Sequence, residues 1–312
     1  MTNQPFLQEV ENDSGLNNLK STQDWLKENK IFIELKLEEH GAIIFKDLPV
    51  KTAEDFDQFV STFNYETFTY EESLSNAVRI NKTDKVFTAN EAPREVEIFL
   101  HHEMAQTPTY PKNIFFFCKS ASETGGETPL CRSDQLYEAL LKADKALVES
   151  FEKFGVIYNS IMSSRDELIS GQGRSWQKTL GVSSKNDAEE KLSKLGYSWN
   201  WIEDDNLSVT TKTLQATKEL GNGQKSFFNQ VIAASLGWKK NSENQIAPVR
   251  FGNGEEIKES YIELISELAQ SLTLLRSWQD HDILLIDNYR VMHGRKPFAG
   301  NKNREVLVSL TN

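Results

Sequence analysis

Three residues of this chain have the types and spacing to hold a metal ion. The run His101-His102-Glu103 sets a histidine and a carboxylate two positions apart, and a lone His293 lies far downstream, followed by Arg304. On a strand, His101 and Glu103 would project from one face and His102 from the other, because strand side chains alternate with period two. Two imidazoles and one carboxylate form the facial set that suits non-heme Fe(II) and leaves positions open for small molecules. An H-x-E pair alone arises often by chance. Its weight here comes from the residues that accompany it.

Arg304 opens the segment Arg304-Glu305-Val306-Leu307-Val308-Ser309-Leu310. Period-two alternation places it on the same face as Val306, Val308 and Leu310, aimed at an apolar interior. A guanidinium there needs an anion, and its planar fork matches a carboxylate. Thr128, in Gly125-Gly126-Glu127-Thr128-Pro129, offers a hydroxyl donor beside a turn that the two glycines permit. Both residues also fit plain structural roles, a core salt bridge and a turn. Zinc is the other metal that two His and one Glu bind. It leaves Arg304 without a task, and the chain contains no H-E-x-x-H general-base motif.

These residues need elements to position them. Ser21 is expected to cap a helix through Trp25 and Leu26, and a second apolar-periodic stretch ends at His40-Gly41, where Gly suits a helix C-terminus. Residues 1–16 are polar and read as loose. Ala42–Phe45 reads as a buried strand, and residues 52–63 as a helix striped by Phe56, Phe59 and Phe63. A strand and loop are expected over 78–90, and Glu97 to Leu100 leads into the His-Glu pair. NIFFFC at 113–118 reads as a strand buried on both faces. Residues 133–154 read as one helix capped by Ser133, and residues 257–278 as another. Residues 282–288 and 304–310 close the chain as strands. The stretch 171–247 is polar, aromatic and irregular, with Trp176, Trp199, Trp201, Phe227, Phe228 and Trp238. A long irregular stretch is often functional, and it reads as a lid or substrate wall, or as an insertion with an aromatic minicore.

The chain has 312 residues, 38% of them hydrophobic, enough for one large domain or two small ones. A net charge of −11 argues against nucleic acid and anionic membranes as partners. Cys118 and Cys131 each adjoin an apolar run and read as buried free thiols. No signal peptide or membrane-spanning run is visible, so a soluble, cytoplasmic protein is expected.

Two segments, HHEMAQTPTYPKNIFFFCKSASETGGETPL at 101–130 and DNYRVMHGRKPFAGNKNREVLVSL at 287–310, together resemble the TauD/TfdA (taurine dioxygenase-like) family, in its clavaminate synthase-like and SyrP-like branch. The resemblance extends in order and spacing from about residue 41 to the C-terminus and is loose in the middle. It implies an α+β fold, a double-stranded β-helix (jelly roll) with flanking helices, over a single domain 1–312. It implies Fe(II) held by His101, Glu103 and His293, and Thr128 and Arg304 clamping the C5 carboxylate of 2-oxoglutarate. The implied reaction uses O2, releases succinate and CO2, and hydroxylates an unactivated C–H bond.

Two departures bear on chemistry. Many relatives have Asp where this chain has Glu103, and halogenating relatives have a small residue there, so Glu103 favours hydroxylation or desaturation. Taurine dioxygenases carry another arginine where this chain has Val308, which disfavours a sulfonate substrate. The branch points to a small substrate, an amino acid either free or as an aminoacyl group on a carrier protein. Arg79, Asn90, Glu91, Phe228, Asn229 and Arg295 are candidate substrate-lining residues, each also open to a structural role. Desaturation, cyclisation or oxidative cleavage at the same iron, and a non-catalytic metal-binding jelly roll, are the alternative readings.

Overall fold

The computed structural model describes residues 6–68, 74, 75, 77–166, 173–221, 223–238 and 246–312. Its framework is a pair of sheets. The larger has six strands in the order Leu7–Val10, Ala42–Phe45, Ile283–Asp287, Asn113–Ser120, Glu305–Thr311, Phe87–Thr88. The smaller has four, Thr273–Arg276, Thr128–Arg132, Val291–Arg295, Ile98–His101.

Alternation along the strands decides what meets what. In the larger sheet, Ile44, Ile114, Phe116, Leu284, Ile286, Val306, Val308 and Leu310 turn inward, where Leu130 and Val291 of the smaller sheet complete one core. Their neighbours Ile43, Phe45, Phe115, Phe117, Ile283, Leu285 and Leu307 turn outward onto the helices Leu19–His40 and Ala53–Ser61. On the smaller sheet, Cys131 and Met292 turn outward onto Ser133–Ala143, Lys145–Phe154 and Glu259–Ser271. The result is a double-stranded β-helix flanked by helices, as expected. The same alternation sends His293, two residues after Val291, into the space between the sheets.

Several element expectations change. Leu7–Val10 is an ordered edge strand, parallel to Ala42–Phe45, within a segment read as loose. One helix, Leu19–His40, replaces the two stretches. Its cap is Asn18, whose side chain accepts from Ser21 N at 2.9 Å, while Ser21 serves as the reciprocal half of a capping box. The single helix expected over 133–154 breaks at Asp144, whose extended backbone and side chain start a second helix by accepting from Leu147 N. Ser133 caps nothing; its hydroxyl donates to Arg290 O at 3.0 Å. The helix expected over 257–278 stops at Ser271, and Thr273–Arg276 becomes a strand paired with Thr128–Arg132. Over 78–90, where a strand followed by a loop is expected, the strand that forms is the short Phe87–Thr88, and it comes late in the segment.

The segment read as irregular is mostly organised, although residues 171, 172, 222 and 239–245 lie outside the described residues. Leu207–Thr210 and Ser198–Trp201 join Val156–Met162 and Val249–Phe251 in a second four-stranded sheet. Trp176, Leu180, Leu192, Tyr197 and Leu207 form a separate core beneath it. Both cysteines are free and buried. No helix among the described residues is long and apolar enough to cross a membrane.

Candidate metal centre

His101 ends the strand Ile98–His101 and stands opposite His293 in the antiparallel pairing, with ring centroids 4.4 Å apart. A bulge follows His293, and Gly294 makes it possible: a Cβ there would lie 2.4 Å from Ile98 O. Glu103 does not share the strand, which already ends at His101. It sits in a turn in which Met104 adopts φ 59°, and two tertiary bonds set its direction. Glu103 N donates to Asn288 Oδ1 at 2.8 Å, and Asn288 Nδ2 donates to Glu103 O at 3.1 Å. Glu103 therefore comes to His101 from a turn rather than from the strand face that period-two alternation predicts.

The three residues converge. One ligand atom from each of His101, Glu103 and His293 can be chosen so that all lie within 4.8 Å of one another. Glu103 Oε2 is 3.4 Å from His293 Nε2 and is buried without a hydrogen bond. Ligands about 2.0–2.2 Å from a shared ion are separated by about 3–4 Å, so a small dication fits with slight closure. His101 Nδ1 is 2.8 Å from Phe99 O. That carbonyl calls for the proton on Nδ1 and leaves Nε2 as the lone-pair donor. His102 is elsewhere: its Nδ1 contacts Asn288 O and its ring packs on Phe228 at 4.5 Å.

Electrostatics put these groups in ligand form. Burial opposes ionisation of Glu103, but the Arg79 guanidinium and His293 outweigh it and hold the carboxyl well below the usual range. Arg79 Nη2 donates to Glu103 Oε1 at 2.8 Å, with both side chains almost wholly buried. Burial, assisted by His293, pushes His101 down to about 4, and burial pushes His102 to about 3. Both are neutral near pH 7, as metal ligation requires of an imidazole.

The same residues line a cavity of about 140 Å³, and Thr128 and Arg304 line it too. Thr128 Oγ1 accepts from Trp278 Nε1 at 2.9 Å, which leaves its own proton to donate. Arg304 lies over the Phe298 ring at 5.3 Å and, among the described residues, donates to Gly126 O at 3.3 Å. Its Nε is buried without a partner, and no carboxylate among the described residues pairs with it. Gly126 is the residue that admits it: a Cβ there would stand 3.0 Å from Arg304 Nε, at a backbone φ of +74°. A guanidinium desolvated without an anion is half of a binding site.

The candidate substrate residues divide. Arg79, Asn90 and Arg295 line the cavity. The Arg295 guanidinium, however, donates to the carbonyls of Asn90, Ala92, Pro93 and Val96 and so pins that loop. Glu91 is exposed, away from the cavity wall. Phe228 packs against Tyr110 and Tyr289, and Asn229 bonds to Ala216 O and Val231 N, so both support structure behind the site. Aromatic and amide residues near a site serve its scaffold as readily as its lumen. Sequence reasoning did not single out Asn288, whose signal was an amide directly after the buried run ILLID, or the lining residues Gln106 and Gln230; Trp238, which also lines the cavity, lies in the stretch read as a lid or substrate wall.

Comparison with known proteins places this geometry. The model of the family described as taurine catabolism dioxygenase TauD, TfdA family matches residues 7–310. A clavaminate synthase-like protein of Arabidopsis thaliana is 32% identical over 286 residues, covering 91% of this chain and 86% of that protein. The dapdiamide synthesis protein DdaC of Enterobacter agglomerans is 27% identical over 289 residues, covering 88% and 83%. Among solved structures, PvcB of Pseudomonas aeruginosa superposes with a TM-score of 0.54 at 12% identity, over 99% of this chain and 87% of that one. A taurine dioxygenase of Burkholderia xenovorans gives 0.53 at 12%, over 90% and 79%. These structural likenesses speak for the fold. With the family match spanning nearly the whole length, the chain belongs to the TauD/TfdA family and is an Fe(II)/2-oxoglutarate-dependent dioxygenase, with O2 as its other co-substrate.

Proposed function

We propose that His101, Glu103 and His293 ligate the iron, that Thr128 and Arg304 hold the C5 carboxylate of 2-oxoglutarate, and that the enzyme hydroxylates an unactivated C–H bond of a small amino-acid-like molecule. The observation that carries the co-substrate assignment is Arg304, which faces the same cavity as the two histidines and Glu103 and has no carboxylate partner among the described residues. The oxidising power comes from bound Fe(II) with its co-substrates. The chain's own residues bind, orient and exclude water. His101, Glu103 and His293 would hold the ion and leave coordination positions for the ketoacid and oxygen.

Charge supports the substrate class. Among the described residues, the cavity wall carries Arg79, Arg295 and Arg304 and the carboxylate of Glu103. Fe(II) and the 2-oxoglutarate dianion cancel, so the wall keeps a positive surplus that favours a carboxylate-bearing substrate. Gln106 Oε1 is buried at this wall without a hydrogen-bond partner, an acceptor suited to an amine. Gln230, Ala233 and Trp238, from the segment read as a substrate wall, also line the cavity. The clavaminate synthase-like and dapdiamide-synthesis relatives fit a substrate of amino-acid type.

The test is an anaerobic titration of metal-free protein with Fe(II) and 2-oxoglutarate, followed in the visible range. A weak charge-transfer band is expected, absent in His293→Ala and weakened in Arg304→Ala. Amino acids added to the same sample should shift it. A folded, iron-loaded protein with no band sinks the assignment.

A further inference from the structure

Glu103 has two oxygens in different surroundings. Oε1 accepts from Arg79 Nη2 at 2.8 Å, whereas Oε2 faces His293 Nε2 at 3.4 Å and receives no hydrogen bond. Arg79 is rigidly presented. Its side chain is 6% exposed, and its guanidinium lies over the Phe87 ring at 5.5 Å. Its backbone neighbourhood is tied to the edge of the larger sheet: Ile80 N donates to Thr88 Oγ1 at 3.0 Å, Thr88 N to Ile80 O at 2.9 Å, and Glu91 N to Val78 O at 3.1 Å. One sheet therefore delivers the guanidinium, and a turn at the end of the other delivers the carboxylate.

Resting on the iron reading above, we infer that Arg79 is a positioning residue that makes Glu103 a one-oxygen ligand. A carboxylate near a dication can bind through one oxygen or through both. Two-oxygen binding would add a fourth protein donor and occupy a position that the ketoacid and O2 need. The charge-assisted bond from Arg79 engages Oε1 and leaves Oε2 as the donor atom. The same cation lies beside the open face and favours the 2-oxoglutarate dianion there. Both effects act in one direction: removing Arg79 weakens 2-oxoglutarate binding while the bare iron stays bound.

The experiment compares the parent protein with Arg79→Met, Arg79→Gln and Arg79→Lys, each checked by circular dichroism for a native spectrum. Fe(II) affinity is measured alone by competition with a chromophoric chelator. 2-Oxoglutarate affinity is then measured on the iron form from the charge-transfer band. In the Met and Gln variants the half-saturating 2-oxoglutarate concentration is expected to rise about 10- to 100-fold, with iron affinity retained or tightened and part of the loss recovered in the Lys variant. A folded Met or Gln variant with parent-like 2-oxoglutarate affinity overturns the inference. So does a folded variant that no longer holds iron. If the parent itself gives no band, the iron reading fails first, and the two failures are told apart.

Discussion

The two ends of the cavity are built on opposite terms. At the metal end two of the three proposed ligands are braced by hydrogen bonds, His101 by Phe99 O and Glu103 by Asn288 through its backbone and by Arg79 through Oε1, while His293 is held by its strand and, among the described residues, its Nδ1 is buried without a partner. At the other end Arg304 has one long bond to a carbonyl, and Thr128 has a proton to spare. The contrast has a physical basis. A dication tolerates little error in ligand direction, so its ligands are oriented before it arrives. A carboxylate co-substrate brings its own charge and lone pairs, so the site proposed for it can be left unsatisfied until it binds.

The largest expected effect breaks the metal end. His293→Ala should abolish the charge-transfer band and reduce succinate formation to the metal-free baseline; measurable iron-dependent turnover in that variant would contradict its role. Arg304→Met should act oppositely in the two states. It should weaken 2-oxoglutarate binding by about 2–3 kcal/mol, on the order of 100-fold. It should also leave the melting temperature of the ligand-free protein unchanged or higher, because an unpartnered desolvated cation is removed. A ligand-free protein that loses stability would mean that Arg304 has a structural partner after all.

Asn288→Ala sharpens the other side. It leaves Glu103 N without its acceptor and Pro111 O without a donor, and should cost about 1–3 kcal/mol in denaturant unfolding. Acid should separate the ends as well. His101 and His102 have native values of about 4 and about 3, below their usual 6.5. The unfolded chain therefore binds protons first as pH falls below about 6.5, and stability is lost down through those lower values, by up to about 1.4 kcal/mol per pH unit for each histidine. Metal-free protein that unfolds with equal ease at pH 7 and pH 5 would argue against buried neutral imidazoles. The smallest effect is expected at Thr128→Val. Loss of one neutral hydroxyl donor should weaken 2-oxoglutarate binding by about 1 kcal/mol, roughly fivefold in titration.

Much of this protein was legible along the chain. Short continuous apolar runs identified the strands Ala42–Phe45, Asn113–Ser120 and Ile283–Asp287, because strands buried on both faces are written in local composition. The residue types at 101, 103, 128, 293 and 304 named the chemistry before any geometry was known. Boundaries were another matter. Periodicity saw one helix over 133–154, yet Asp144 ends one helix and caps the next. It saw another over 257–278, yet the sheet edge at Thr128–Arg132 took Thr273–Arg276 as a strand. Pairing with a distant partner overrides local preference, and no local pattern records that partner. The same holds at the site. Sequence supplied the ligand types, but tertiary packing turned Glu103 inward through Asn288 and set Arg79 on one of its oxygens. Among the described residues, it also gave Arg304 no carboxylate and spent Arg295 on backbone carbonyls. Whether a buried charge is satisfied depends on what lies within about 4 Å of it in space, and residues 24 to 185 positions apart, as Arg79 and Asn288 are from Glu103, decide that only once the chain has folded.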